Sequence, residues 1–390
     1  MDFCDTLTAM FREVPYLGEY VVGLDAASEE LNAEPWIYAP VFTYSRRRHN
    51  TYPTQLHRRT PIPTLGLTYH VGEDFRHILS GLRMIDEVLD HFGFKSGDRI
   101  GHSLALQIEP KRWRVDHHVV SLPIIEYLEN MLWLWGLKNQ GSSINEPPDL
   151  DLKIMQTAEK LYNTTQGLTP YVLWTAYQNK FLLLDVVRRK QDVSCIQCVT
   201  RQLHPASCPL QIDSPMYWDA NLILLTHFCP IYREKYRKPI FVNVPKTEIA
   251  LFSELQEWMK EKVGRHGITI EVNPTSNASI GAIEGLNQHP LLNLNNCNLA
   301  APEEPRQNLS ISINSDDPLV FHTTVESELS YVYYMLTEMG YMREDVLNWI
   351  DQVRQFGLNS SFIQKEKKPG TLLQELRALC GHLQQVYQDA

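Results

Sequence analysis

Leu65-Gly66-Leu67-Thr68-Tyr69-His70-Val71-Gly72-Glu73 is a short apolar run that ends abruptly in an imidazole, a glycine and a carboxylate. Such a run reads as a buried strand that delivers chemistry at its C-terminal tip. Three later stretches repeat the design: RIGH at Arg99–His102, ITIEVNPTSN at Ile268–Asn277, and LSISINSDD at Leu309–Asp317. One such run is weak evidence, because short apolar runs do not distinguish helix from strand. Four runs tipped by ionisable or polar side chains are what a barrel of parallel strands produces, since its functional groups come from the C-terminal ends of several strands.

Around these runs the chain has the composition of an ordinary globular protein. Its 390 residues are 43% hydrophobic and 21% charged, enough for one large domain or a domain with an insertion. The net charge of −10 argues against general nucleic-acid binding. No apolar run is long enough to span a bilayer. The first residues, MDFCDTLTAMFREV, contain acids and lack the basic start and apolar centre of a signal peptide. Seven cysteines without a paired framework fit a reducing compartment. A cytoplasmic protein is the expectation.

The spacing of the elements divides the chain. Residues 1–109 read as the end of a helix, a strand-like Tyr20–Asp25, an extended proline-containing loop over 32–63, the strand at 65–70, a helix over about 75–92 and a strand at 99–106. Strand, helix, strand at this spacing implies parallel pairing. Residues 110–246 change character: Leu122–Trp135, Leu152–Tyr162, Tyr171–Arg189 and Tyr217–His227 read as aromatic-rich helices, an insertion suited to packing or oligomerisation. Residues 247–325 return to strands, at 268–272 and 311–313. Residues 326–390 read as helices separated by Gly340, Gly357 and Gly370. Two side features stay open. The loop arginines Arg46, Arg47 and Arg48, with Arg58 and Arg59, are a solvated charge run or a phosphate-binding lip. Cys195, Cys198, His204 and Cys208 are a structural zinc site or small buried cysteines.

Imidazoles and carboxylates at the tips, His70, Glu73, His102, Asp316 and Asp317, are the side chains that bind zinc and shuttle protons. In combination the motifs resemble the adenosine deaminase family of metal-dependent (β/α)8 TIM barrels. His70-Val71-Gly72-Glu73 stands where that family has H-A-G-E. Arg99-Ile100-Gly101-His102 matches R-I-G-H. Pro274-Thr275-Ser276-Asn277 matches the C-P-x-S-N segment, with Asn273 in place of Cys. Ser315-Asp316-Asp317-Pro318-Leu319 matches [ST]-D-D-P-L, and Val21-Val22-Gly23-Leu24-Asp25 resembles V-V-G-x-D of the fourth strand.

The resemblance implies a partial barrel, strands four to eight, with a helical insertion. It implies zinc held by His70 and Asp316, Glu73 as the acid that protonates purine N1, and His102 orienting the zinc-bound hydroxide. Asp317 would hold the purine and Asp25 would support the site from behind. Ser28 replaces the family's glycine beside the base. The reaction would be hydrolytic deamination at C6 of adenosine or an adenine nucleotide. Asp317–His322 is similar to the D-P-L-Q-F-H of AMP deaminases, and Arg46, Arg47 and Arg48 would meet a phosphate. The family's first-strand H-x-H, which supplies two more zinc ligands, does not occur in these 390 residues. The expectation is therefore the C-terminal portion of a larger deaminase, completed by a separate N-terminal half or a second copy. The insertion resembles that of the deaminase-like subunits of RADAR-type phage-defence systems, which pair with an AAA+ ATPase. The other reading is a catalytically inactive assembly protein that keeps a vestigial site.

Overall fold

The computed structural model describes residues 2–14, 16–27, 29–50, 65–145, 147–182, 218–227, 229–280, 283, 288–299, 305–363 and 367–388. Two compact units are formed, one from residues 1–73, 88–103 and 262–390, the other from 74–87 and 104–261. The strands are Gly23–Leu24 (β1), Gly66–Val71 (β2), Arg99–His102 (β3), Val119–Pro123 (β4), Pro239–Asn243 (β5), Thr269–Val272 (β6) and Ile311–Ile313 (β7).

The first unit is built on a parallel sheet in the order β1-β2-β3-β6-β7. Each strand of this sheet lies beside the one before it in the chain. That is the order of a barrel wall, so the fold is a partial TIM-barrel-like α/β arrangement with added helices.

Pairing of His70 with Gly101, Gly101 with Glu271, and Glu271 with Ser312 puts these residues on one face. The opposite face carries Leu67, Tyr69, Val71, Ile100, Ile270, Val272, Ile311 and Ile313, all buried. Alternation with period two thus separates an apolar face from a polar one. On the polar face Glu271 forms an ion pair with Arg99, its Oε1 2.7 Å from Nε, and accepts a hydrogen bond from the Thr68 hydroxyl at 3.2 Å.

Residues 32–63, expected as a loop, contain the helix Pro35–Asn50. Pro35 at its start tolerates the missing N–H, and the buried positions 35, 39, 42, 45 and 46 make a helical stripe. Phe42 packs on Tyr69 and Phe92, with ring centroids 5.7 and 4.8 Å away. The prolines and arginines hid this stripe; burial of Phe42 outweighs the cost of Pro40 inside the helix. Strands are also shorter than expected: β1 keeps two residues, and after β3 the chain turns into a 3-10 helix, Leu104–Leu106. Of the three glycines expected to stop C-terminal helices, Gly340 does so with φ 96°. Gly357 and Gly370 instead lie within the helices Arg343–Asn359 and Pro369–Gln388.

The second unit is not purely helical. β4 and β5 pair antiparallel, although 120 residues apart in sequence. Val119–Pro123 stands partly where a helix was expected; Pro123 ends the strand and caps the helix Ile124–Asn139. Helices Leu150–Tyr162, Pro170–Asn179 and Ala220–Thr226 overlap the expected ones, of which residues 183–189 and 217 lie outside the described residues. A charged network is buried among them. Lys180 and Arg83 are 0% and 1% exposed, and Glu87 and Glu129 are each 2% exposed. Among the described residues no helix is long and apolar enough to cross a membrane.

Candidate active site at the strand tips

Every tip residue that the structure brings together belongs to the first unit. β2 carries His70 to its end, and Gly72, at φ 80°, turns the chain so that Glu73 points back across the sheet. Left-handed backbone recurs at the other tips without glycine: His102 (φ 65°), Ser103 (φ 51°) and Asp316 (φ 56°). Such conformations cost on the order of 1 kcal/mol or more each and cluster at functional sites.

His102, 1% exposed, is the centre. Its Nδ1 lies 3.0 Å from Glu73 Oε1 and its Nε2 lies 3.8 Å from Asp316 Oδ2. The His70 ring stands edge-on to it, with centroids 4.8 Å apart. Gly101 makes that approach possible: a Cβ there would meet His70 Cδ2 at 2.6 Å. His70 Nε2 is 3.9 Å from Asp25 Oδ2. Burial opposes charging of His102, but the hydrogen bond and charge of Glu73, then Asp316 and Glu30, outweigh it and raise its pKa.

Three residues of this site have no chemical role assigned from the sequence. Asn277 Nδ2 is 3.0 Å from Glu73 Oε1 and 2.8 Å from His102 Nδ1. His289 Nε2 is 3.3 Å from Asn277 Oδ1. Glu30 accepts from the backbone N–H groups of Gly72 at 2.6 Å and Glu73 at 3.0 Å. It clamps the turn that aims Glu73, and burial pushes its carboxyl up to about 8, against the pull of those two N–H bonds. Asn277 stood inside a quoted motif; for Glu30 and His289, distant in sequence, no local pattern marked the role.

One expected substrate contact, Arg46, comes out differently, and Asp317 has a second task. Arg46 does not face the tips. Its guanidinium pairs with Asp98, just before β3, and donates to the Leu65 carbonyl at 2.8 Å, just before β2. It therefore sits at the strand starts, the opposite end from His70, and ties the helix Pro35–Asn50 to the sheet. Asp98, 1% exposed, also accepts from the backbone N–H groups of Leu67 and Lys95. Removing a partner from a buried pair costs about 3–5 kcal/mol; with two amide donors left to Asp98, Arg46→Ala is expected to cost about 2 kcal/mol, read by urea denaturation. Asp317 is exposed and caps the short helix Pro318–Phe321, its Oδ1 accepting from Leu319 N at 3.2 Å and Val320 N at 3.4 Å. Ser28, the side chains of Arg47 and Arg48, and the cluster Cys195, Cys198, His204 and Cys208 lie outside the described residues.

The donor types suit zinc, but their number falls short. Catalytic zinc takes three protein ligands and a water, and among the described residues no group of three or more His, Cys, Asp or Glu side chains is arranged to hold an ion.

No curated protein matches the chain. Residues 255–378 match the family model for adenosine deaminase, a family that is generally zinc-dependent. The matched stretch includes β6, Asn277, His289, β7 and the Asp316–Asp317 tip. Over residues 255–378 the chain is similar to the adenosine deaminase family.

Proposed function

We propose that the chain provides the proton-handling half of a zinc-dependent purine deaminase that hydrolyses the C6 amino group of adenosine or an adenine nucleotide. One observation carries this reading: Glu73 after β2, Asp316 after β7 and Asn277 from the helix that follows β6 meet around the buried imidazole of His102 at the end of β3. A structural ion-pair cluster has no need of three left-handed backbone positions at its edges.

In this reading Glu73 donates a proton to purine N1, which makes C6 electrophilic. His102, between Glu73 and Asp316, orients the attacking water. With Oδ1 of Asp317 engaged by backbone amides, contact with the purine falls to Oδ2. His70 and Asp316 are the residues that would hold zinc, with further ligands from an N-terminal half or a second copy. Zinc so held would supply a water acidified to near neutrality. Since Arg46 is occupied elsewhere, preference for a nucleotide over a nucleoside rests on Arg47, Arg48 and the Asp317–His322 stretch.

The test uses the zinc-treated protein, alone and together with the product of the neighbouring reading frame. Metal analysis and the ultraviolet change on conversion of adenosine, AMP or ATP to the inosine-type product are followed. Zinc near one per chain with product formed supports the proposal. Neither zinc nor product in both preparations overturns it and leaves the assembly-protein reading.

A further inference from the structure

The second unit holds a cleft of about 350 Å³, within the size range of small-molecule pockets. Its walls come from the start of the helix Ile78–His91, from one face each of the helices Ile124–Asn139 and Leu150–Tyr162, and from β5 with the turn after it. No residue of the strand-tip site lines it.

His77, 3% exposed, lies at this cleft with its ring edge-on to Trp113 and Phe252. Its Nδ1 accepts the backbone N–H of Leu79 at 3.1 Å. A backbone amide only donates, so the ring hydrogen is on Nε2. Burial, then the neighbouring His117, lowers the pKa to about 4, and the ring is neutral. Nε2–H has no hydrogen-bond partner among the described residues and is not sealed from solvent; the space it reaches is the cleft. The Tyr127 hydroxyl is a second such donor, lining the cleft with no hydrogen-bond partner among the described residues. Phenylalanine at either position would pack as well. What the two polar groups add is a pair of hydrogens turned on an open space, which calls for an acceptor that enters it.

The charges point the same way. Lys153 and Lys160 share one face of their helix and both line the cleft. Glu248 is the one acid among the described lining residues, and Lys153 pairs with it at 3.6 Å. The exposed Lys160 has no such counter-charge on the wall. Two ammonium groups and two neutral donors against one carboxylate suit the three oxygens of a phosphate. The rest of the wall is apolar, with Ile124, Met131 and Ile240, and Phe241 of β5 is 79% exposed beside them. An exposed phenyl ring offers a flat group a stacking surface.

We propose that this cleft is a ligand site separate from the strand tips, for a phosphate monoester carried on a flat apolar group. His77 and Tyr127 donate to the phosphate oxygens, Lys160 supplies the balancing charge, and Phe241 meets the ring. All of these residues belong to the second unit, so the inference does not depend on the purine deaminase reading.

Calorimetric titration of the full chain with phenyl phosphate tests this, beside inorganic phosphate and phenol. The expected result is saturable binding at a single site, roughly tenfold tighter than that of either fragment. Lys160→Ala and His77→Phe, the second of which keeps a ring against Trp113 and Phe252, are each expected to weaken it by roughly tenfold, the worth of one hydrogen bond to a charged group. Glu73→Gln, at the strand tips, is expected to bind as the wild type does. Should His77→Phe fail to fold, Tyr127→Phe, which removes only a half-buried hydroxyl, takes its place. Absence of saturable binding overturns the proposal, as does binding that either cleft variant leaves unchanged or that Glu73→Gln abolishes.

Discussion

Arg83→Met is expected to lower stability by about 3–5 kcal/mol, the cost of taking one partner from a buried ion pair. Arg83 sits on the helix Ile78–His91 and spans two carboxylates: Nη1 pairs with Glu87, one turn on, and with Glu129 at 3.2 Å. Its Nε donates to Asn130 Oδ1 at 2.9 Å. Methionine keeps the volume of the stem and leaves two buried acids. Glu129 retains Lys180 at 2.7 Å, and Glu87 retains the Tyr177 hydroxyl at 2.6 Å. Burial, then the charge of Glu87, holds that phenol well above its ordinary pKa, so it remains a donor. One cation for two carboxylates is nevertheless a net buried charge. The double variant Arg83→Met/Glu87→Met restores the balance and is expected to recover more than half of the loss. Urea denaturation of both single variants and the double variant reads the difference. A single-variant loss under 1 kcal/mol would show that water reaches these groups and that the network is not a dry one.

This network also explains why the insertion was legible only in outline. Helical periodicity and aromatic content were visible, but Arg83 and Lys180 are 97 residues apart, and nothing local announces that they share Glu129. The β4–β5 pair was missed for the same reason: its partners are joined only after more than a hundred residues, and Val119–Pro123 runs directly into a helix. At the sheet the opposite holds. His70, His102 and Asp316 end apolar runs, because a strand buried on its apolar face must change character where it leaves the sheet. The tips were therefore readable from sequence. Arg46 was misread because a cluster of arginines near prolines suggests a solvated loop, whereas the stripe at 35, 39, 42, 45 and 46 buries the first of them against Asp98. Glu30 and His289 act at one remove, on a backbone turn and on an amide, and side chains of that kind leave no spacing rule to find.

Glu73→Gln is expected to lower the deamination rate by about 10²–10⁴-fold, the range supplied by a positioned acid or base, in whichever preparation converts adenosine or an adenine nucleotide. The substitution keeps shape and length. Its amide oxygen still accepts from Asn277, which lies 3.0 Å from Glu73 Oε1, so the turn clamped by Glu30 is expected to hold. What disappears is the proton that Glu73 would give to purine N1. Zinc content is expected to be unchanged, because Glu73 lies three residues beyond His70 and is directed at His102 instead. Thermal unfolding is expected to move little, since one hydrogen bond of about 1 kcal/mol is exchanged for another. The loss should fall on kcat rather than on KM, as expected for a contact used in the transition state and not in substrate binding. His70→Ala is the contrasting case: rate and zinc content should fall together. A Glu73→Gln protein that turns over within a few-fold of the wild type would remove Glu73 from the reaction, and with it the reason for Asn277 and His102 to converge on this carboxylate and for Glu30 to hold the turn that carries it.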